Sequence, residues 1–559
     1  MVIDDRSSPR SARRGPRLRL AGYRSLGAIL AAILTFGRLA IAHSPPEPEH
    51  AASLGTVDFP VTCSEPARLE FNRAVALLHH MTYPAARDAF ARVVEIDPHC
   101  AMANWGIAMT LFQPLWPTRP GPEALRRGWE LVRQAKTLGL PTEREQLFVG
   151  AVEAFFLEPG STDYWLRIRR WERASAALYE AFPDDTEAAA FFALSHLAVA
   201  PAGALSHENS ERAAAILMRI YERNPDHPGA MHYLIHANDV PGRERISSEI
   251  THKYEAVAPR NPHALHMPTH LYTRSGDWNG VIRGNLLAAQ AALEQPAGDR
   301  GDLIWDEFAH ATEYLVYAYL QKGDDAAAAA EIERLHGTAR LEKTFKTAFH
   351  LASTRARFAL ERHAWREAAS TIPREPATLE WDRFAWAEAI SWFARGLGAA
   401  HIDALDAARD AAAHLEGLEA STRQTGEDLF ARNIEILRLE LNAWLAHAEC
   451  RPEAAVALMQ RAADLEVSTP KHAVTPAPTI PGHELLGDLF MEQQAPTRAL
   501  AAYRRAIESY PGRFNSLLGA ARAARAVGER SSAEGYYREL LRSAAGGTRQ
   551  PALQEAADY

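Results

Sequence analysis

His232 and His236 in MHYLIH recur as His266 and His270 in LHMPTH, each 34 residues on, and Gly242 recurs in the same way as Gly276. A period of this length fits one helix, a turn and a second helix, and a chain so built must stack its units to bury their apolar faces. Within each pair the i, i+4 spacing sets both imidazoles on one helix face, and the period brings the two pairs onto neighbouring helices. Four imidazoles then converge on one patch. With 23 His in 559 residues, two more at two set positions arise by chance about once or twice in a thousand trials; duplication of a repeat is the other source.

At 559 residues the chain exceeds a single compact core, but a helical array grows without one. Ala is abundant, β-branched runs are scarce, and apolar residues recur at i, i+3, i+4 in AFARVVEI, AAILMRIYE and ALAAYRRAI, so the expected class is all-α. Eight Arg precede residue 39, around the apolar stretch SLGAILAAILTFG (25–37), and Ala40-Ile41-Ala42 has the small-x-small form of a cleavage site. That stretch is well short of the ~20 residues that span a bilayer, so residues 1–42 read as a secretory signal peptide or, left uncleaved, as an N-terminal anchor. The protein is therefore expected outside the cytoplasm, periplasmic or secreted. Removing the +6 of residues 1–42 takes the net charge from −9 to −15, which argues against nucleic acid and anionic lipid as partners and against strong membrane association after cleavage. Cleavage after Ala42 would also expose His43, whose amine and ring nitrogen chelate Cu²⁺. Cys63 and Cys100 are candidates for a disulfide joining FPVTC to DPHC, with two buried thiols as the alternative; Cys450 reads as a free, buried thiol.

Residues 43–65 are Pro-rich and acidic, an extended leader; helical repeats are expected over 66–295, divergent ones over 296–467, a Pro-rich loop at 468–482 (STPKHAVTPAPTIPG), further repeats over 483–545 and a tail at 546–559. Ala86, Phe90 and Pro98 in the first unit, Tyr319 and Gly323 in a central one, and Leu486, Gly487, Phe490, Ala499, Tyr503 and Pro511 near the end occupy the signature places of a known motif. On these residues the chain resembles the tetratricopeptide repeats across most of 66–543, which implies an α-solenoid (superhelix). The strings DPHCAMANWGIAM, HPGAMHYLIHANDVPG, HALHMPTHLYTRSGDW and HELLGDLFMEQQAPTRALAAY also resemble an uncharacterised family of bacterial exported tetratricopeptide-repeat proteins, which implies a bacterial, exported protein and lends no activity.

The repeat resemblance implies that positions 2, 5, 9, 12 and 13 of each first helix line a concave groove. With Gly242, Gly276 and Gly323 at the inter-helix place, His232 and His266 take position 5, His236 and His270 position 9, and His263 and His310 position 2. Asp239, Thr273 and Arg274, Glu313 and Tyr317 fall on the same face. A groove rich in imidazole and poor in carboxylate suits Zn, Cu or Fe better than Mg²⁺ or Ca²⁺, so His232, His236, His263, His266, His270 and His310 are the candidate ligands of a transition-metal ion. His236 and His270 with Glu313 can also be drawn as a two-His, one-carboxylate set with open positions. Pro268 either bends the helix between His266 and His270 or starts it, which leaves His263 and His266 in a loop. His79 lies late on its helix, within reach of the groove mouth, while Glu484 and Asp488 read as a solvated face, unless a curling superhelix brings Glu484 opposite the His patch as a base or ligand. His80 reads as a satisfied structural residue, and His252, His350, His363, His401 and His447 as ordinary. No Gly-rich phosphate loop, Ser-His-Asp spacing, HExxH or CxxC occurs. The expected function is a metalloenzyme or metal-dependent binding protein acting on a small molecule or peptide in the groove; the alternative is a scaffold that binds a peptide or partner protein, with the His as polar lining.

Overall fold

The computed structural model describes residues 54–559 except 117–118, 161–162, 200–205, 244, 246–247 and 298–300. The expectations for residues 1–42, for His43 and for the leader before residue 54 lie outside the described residues.

Helix follows helix in hairpins, from Glu65–His79 with Tyr83–Ile96 to Phe514–Ala526 with Arg530–Ser543. The only sheet among the described residues is the two-residue pairing of Pro296–Ala297 with Leu303–Ile304. No described helix is long and apolar enough to cross a membrane. The array is thus tetratricopeptide-like. Its turns explain how a weak sequence pattern keeps a regular geometry. Gly242, Gly276, Gly323 and Gly528 hold φ of 83°, 70°, 67° and 82° between the helices of their hairpins, as the left-handed helix exit requires. In other hairpins the same conformation is held by Met81, His363, Asp403, Cys450 and Gln494, with φ of 52–60°. Cys450, expected to be buried, is instead exposed, because it occupies one of these turns.

The two helices of a hairpin differ in burial. Second helices such as Asp325–Gly337 and Leu405–Gln424 bury one stripe, Ala328, Ile332 and Leu335 in the first case and Ala408, Ala411, Leu415 and Thr422 in the second. First helices such as Pro228–Asn238 and Glu307–Gln321 are buried on nearly every side. A first helix facing an open groove would leave one face wet. Here the groove is filled.

Two features fill it. The C-terminal repeats return to the middle of the array: Trp278 Nε1 donates to the Gly512 carbonyl at 2.9 Å, and the amides of Thr548 and Arg549 donate to the Gly323 carbonyl at 2.8 and 2.9 Å. The approach is close enough that a Cβ on Gly276 would lie 2.8 Å from the Pro511 carbonyl oxygen. The Pro-rich segment 468–482, a loop as expected, lies inside, with Val474, Ala477 and Ile480 buried. Arg357 holds it, donating to the carbonyls of Ala477, Pro478 and Thr479 and to Thr475 Oγ1. At the N-terminal end Cys63 and Cys100 form a disulfide with sulfurs 2.02 Å apart, and Phe59 of the leader is buried among Phe71, Trp105 and Phe148.

Candidate metal centre

Three first helices build the centre. Pro228–Asn238 carries His232 and His236; Pro262–His266 and Pro268–Ser275 carry His263, His266 and His270; Glu307–Gln321 carries His310. Met267 keeps α-helical angles (φ −54°, ψ −41°) and its amide still reaches the His263 carbonyl, so Pro268 bends one helix and does not put His263 and His266 in a loop. All six candidate ligands therefore come together, in two trios: His232, His236 and His263, and His266, His270 and His310. Within each trio the donor atoms lie within 4.8 Å of one another.

The hydrogen bonds at the outer ring nitrogens fix which atoms face inward. His232 Nδ1 meets the His79 carbonyl at 2.6 Å, His263 Nδ1 the Glu307 carboxylate at 2.9 Å, and His270 Nδ1 the Asp239 carboxylate at 2.8 Å. Each of these partners only accepts, so each Nδ1 carries the proton. His266 Nδ1 meets Asn285 Oδ1 at 2.7 Å, and the Asn285 amide group is turned that way because its Nδ2 donates to the Val281 carbonyl at 2.8 Å. His350 Nδ1 donates to Glu313, so its Nε2 must accept from His310 Nδ1 at 3.1 Å. Five rings thus turn an unprotonated Nε2 toward the centre. His236 Nε2 is buried there with no hydrogen-bond partner among the described residues.

The consequence is a pair of contacts that bare imidazoles cannot satisfy. His232 Nε2 lies 3.1 Å from His263 Nε2, and His266 Nε2 lies 2.9 Å from His270 Nε2, lone pair against lone pair. A shared proton or a cation removes that repulsion. Burial, reinforced by the neighbouring imidazoles, holds His232, His236, His266 and His310 well below the ordinary imidazole pKa.

The carboxylates stand behind the imidazoles. Burial works to raise Asp239, but Lys471, Arg274 and the His270 hydrogen bond outweigh it and hold it well below the usual carboxylate range. Glu307 is held low in the same way, against burial, by Lys346 and His263. Both Glu313 oxygens are engaged, by His350, Ser353 and Arg357, so the expected set of His236, His270 and Glu313 is not assembled; Glu313 reaches the centre only through His350. Arg274 pairs with Asp239, and Tyr317 accepts from Arg513. The array does curl Glu484 back toward the middle helices, but its carboxylate is taken by Arg513 and Ser516. His79 is buried away from the groove mouth, between Tyr233 and Glu187.

A third cluster, His79, Glu187 and His227, has a metal-like spacing but different chemistry. His227 Nδ1 accepts from the Ala230 amide at 3.0 Å as the cap of its helix, so Nε2 carries the proton and donates to Glu187 at 3.1 Å. The second Glu187 oxygen takes His79 Nε2 at 2.8 Å. Every ring nitrogen there has a hydrogen-bond partner.

The sequence reading missed His350, Asn285, Glu307 and Lys346 behind the ligands, and Trp116, whose indole lies 3.4 Å from the Lys346 ammonium and 5.1 Å from the His263 ring. His236, His263, His270, His310 and Lys346 line a chamber of about 20 Å³ roofed by Leu115, Trp116, Ala473 and Val474. His236 also lines a neighbouring cavity of about 640 Å³ that contains Arg119, Tyr164, Trp165, Asp239, Lys471 and Tyr510.

No protein-family model matches the chain, and no curated protein does. One of the solved structures it resembles is described as a human IFIT1 dimer with m7Gppp-AAAA, at 12% identity over 80% of this chain and 90% of that one, with a TM-score of 0.37. So distant a likeness bears no weight, and the fold and the centre rest on the helix pairing and hydrogen bonds described above.

Proposed function

We propose that this protein is an exported, metal-dependent solenoid that holds a transition metal, Zn, Cu or Fe, on the imidazoles of its groove and works on a small molecule admitted from the cavity beside His236. The observation that carries the reading is the set of five fixed tautomers, four of whose Nε2 atoms meet in pairs at 2.9 and 3.1 Å. Neutral imidazole backed by a carboxylate or carbonyl is how metal-binding His is oriented in general. Near-stoichiometric metal should copurify with the full chain when chelators are avoided, and His236→Ala combined with His270→Ala should abolish it. Metal content unchanged in that double variant removes the groove from consideration.

The scaffold alternative, a groove open to a peptide or partner protein, is less well supported because segment 468–482 occupies that concave face. Export is part of the proposal. The charge pattern of residues 1–42 supports it, as does a Cys63–Cys100 disulfide, which suits an oxidising compartment, and the resemblance to bacterial exported repeat proteins points the same way. A reporter active only outside the cytoplasm, fused to the chain, should be active, and N-terminal sequencing should begin near His43; a silent reporter would place the protein inside the cell.

A further inference from the structure

We infer that the two trios hold a pair of divalent metal ions side by side, one on each trio, joined by a single small anion in the chamber beside them; this rests on the metal reading above and adds its stoichiometry and ligand class. The first argument is ligand number. A reactive tetrahedral site takes three protein ligands and keeps one position open, and six imidazoles make two such sets.

The second argument is geometric. Ligand atoms ~2.05 Å from one ion stand ~2.9 Å apart at right angles and ~3.3 Å apart at the tetrahedral angle. The first trio already contains one such edge, His232 to His263 at 3.1 Å, and the second trio another, His266 to His270 at 2.9 Å. The two edges share no residue. Across the boundary the rings of His236 and His270 are 6.0 Å apart and those of His263 and His266 6.1 Å, no farther than His236 and His263 within one trio, at 6.4 Å. Two ions placed on these edges are therefore neighbours, as in two-metal sites, where the separation is ~3.5–4 Å.

The third argument is charge. Six neutral ligands leave the four positive charges of two divalent ions uncompensated in a buried place. The nearest carboxylates cannot serve, since Asp239 and Glu307 bind the outer ring nitrogens and are already matched by Arg274, Lys471 and Lys346, and Glu313 is matched by Arg357. A bridging anion lowers that charge. The chamber of about 20 Å³ has room for about one water-sized species, which fits a monatomic or diatomic bridge and excludes a peptide. His236, shared by the chamber and the larger cavity, marks where it enters.

The full chain, stripped of metal by chelator and reloaded with Zn²⁺, should take up two ions per chain by native mass spectrometry. His232→Gln and His310→Gln, which each damage one trio, should take up one. A wild-type count of one overturns the pair and leaves the single-metal reading standing, whereas a count of none overturns both. The wild-type count does not depend on the variants folding. Loading with two equivalents of Cu²⁺ then tests the bridge: a paramagnetic resonance signal integrating to far less than two spins supports a bridged pair, and two full, uncoupled spins overturn it.

Discussion

Five of the six rings in the two trios have two nitrogens with different duties, Nδ1 donating outward and an unprotonated Nε2 turned toward the centre. The outward bond sets the tautomer, so its loss should be felt at the metal. Asn285→Ala removes the acceptor of His266 Nδ1, and it is expected to weaken Zn²⁺ affinity roughly 10–100-fold while costing only about 1–2 kcal/mol of stability; competition titration with a chelating dye measures the first and denaturant unfolding the second. The third cluster should behave in the opposite way. Glu187→Gln leaves one acceptor oxygen for His79 and His227 and sets an amide donor against the other ring, so a loss of about 2–3 kcal/mol is expected with metal stoichiometry unchanged. A change in metal count there would mean that the tautomer argument fails. Four of the six inward ligands, His232, His236, His266 and His270, were legible in the sequence through the period of 34 residues, and His263 and His310 through their distance from Gly276 and Gly323. Their outer partners were not. His350 lies 40 residues after His310, outside that period, and Asn285 sits on the second helix of its hairpin, where no groove position predicts it.

Among the elements, the turns and the segment 468–482 decide how the helices become a closed site. The inter-helix Gly was readable where it occurs, at 242, 276 and 323, but the same left-handed turn made by His363, Asp403 or Cys450 left no sequence signal, which is why the repeats up to 467 looked divergent. The four prolines of 468–482 announced a loop; that it lies inside the groove depends on Arg357 and Asp239, more than a hundred residues away. Arg357→Ala removes the donor to Thr475 Oγ1 and to the carbonyls of Ala477, Pro478 and Thr479. Loss of metal to a chelator should then quicken at least severalfold, and limited proteolysis should cut within 468–482; unchanged rates of both would show that the loop does not guard the chamber. At the other end, the disulfide closes a separation of 37 residues, for which chain entropy gives about 3–4 kcal/mol, so Cys63→Ser should lower stability by about that amount under oxidising conditions and by little under reducing ones.

At the scale of the whole molecule, an array that curls until Trp278 meets Gly512 buries many imidazoles, and that makes its stability depend on acid. Burial lowers His401, stacked on Trp365, to about 3, with smaller contributions from His363 and His447, and its Nε2 has no hydrogen-bond partner among the described residues. A folded pKa below the unfolded value of 6.5 means that the unfolded chain takes up the proton first. Stability is then complete above pH 6.5 and falls as the pH drops toward 3, by about 1.4 kcal/mol per pH unit for each such His. His401→Phe, which keeps the stack and removes the titration, should therefore recover about 2 kcal/mol of the loss between pH 7 and pH 5, read from denaturant midpoints at the two values. The curl itself was only conditionally legible, because closure depends on small rotations between hairpins that no residue pattern records. What the closed array is for turns on the atoms that surround the metal. X-ray absorption at the edge of the metal that copurifies with the full chain tests this most directly: the account predicts a first shell of nitrogen at ~2.0–2.1 Å with the outer-shell scattering of at least two imidazoles, and a first shell of oxygen alone, or a purified protein with no metal edge, would contradict it.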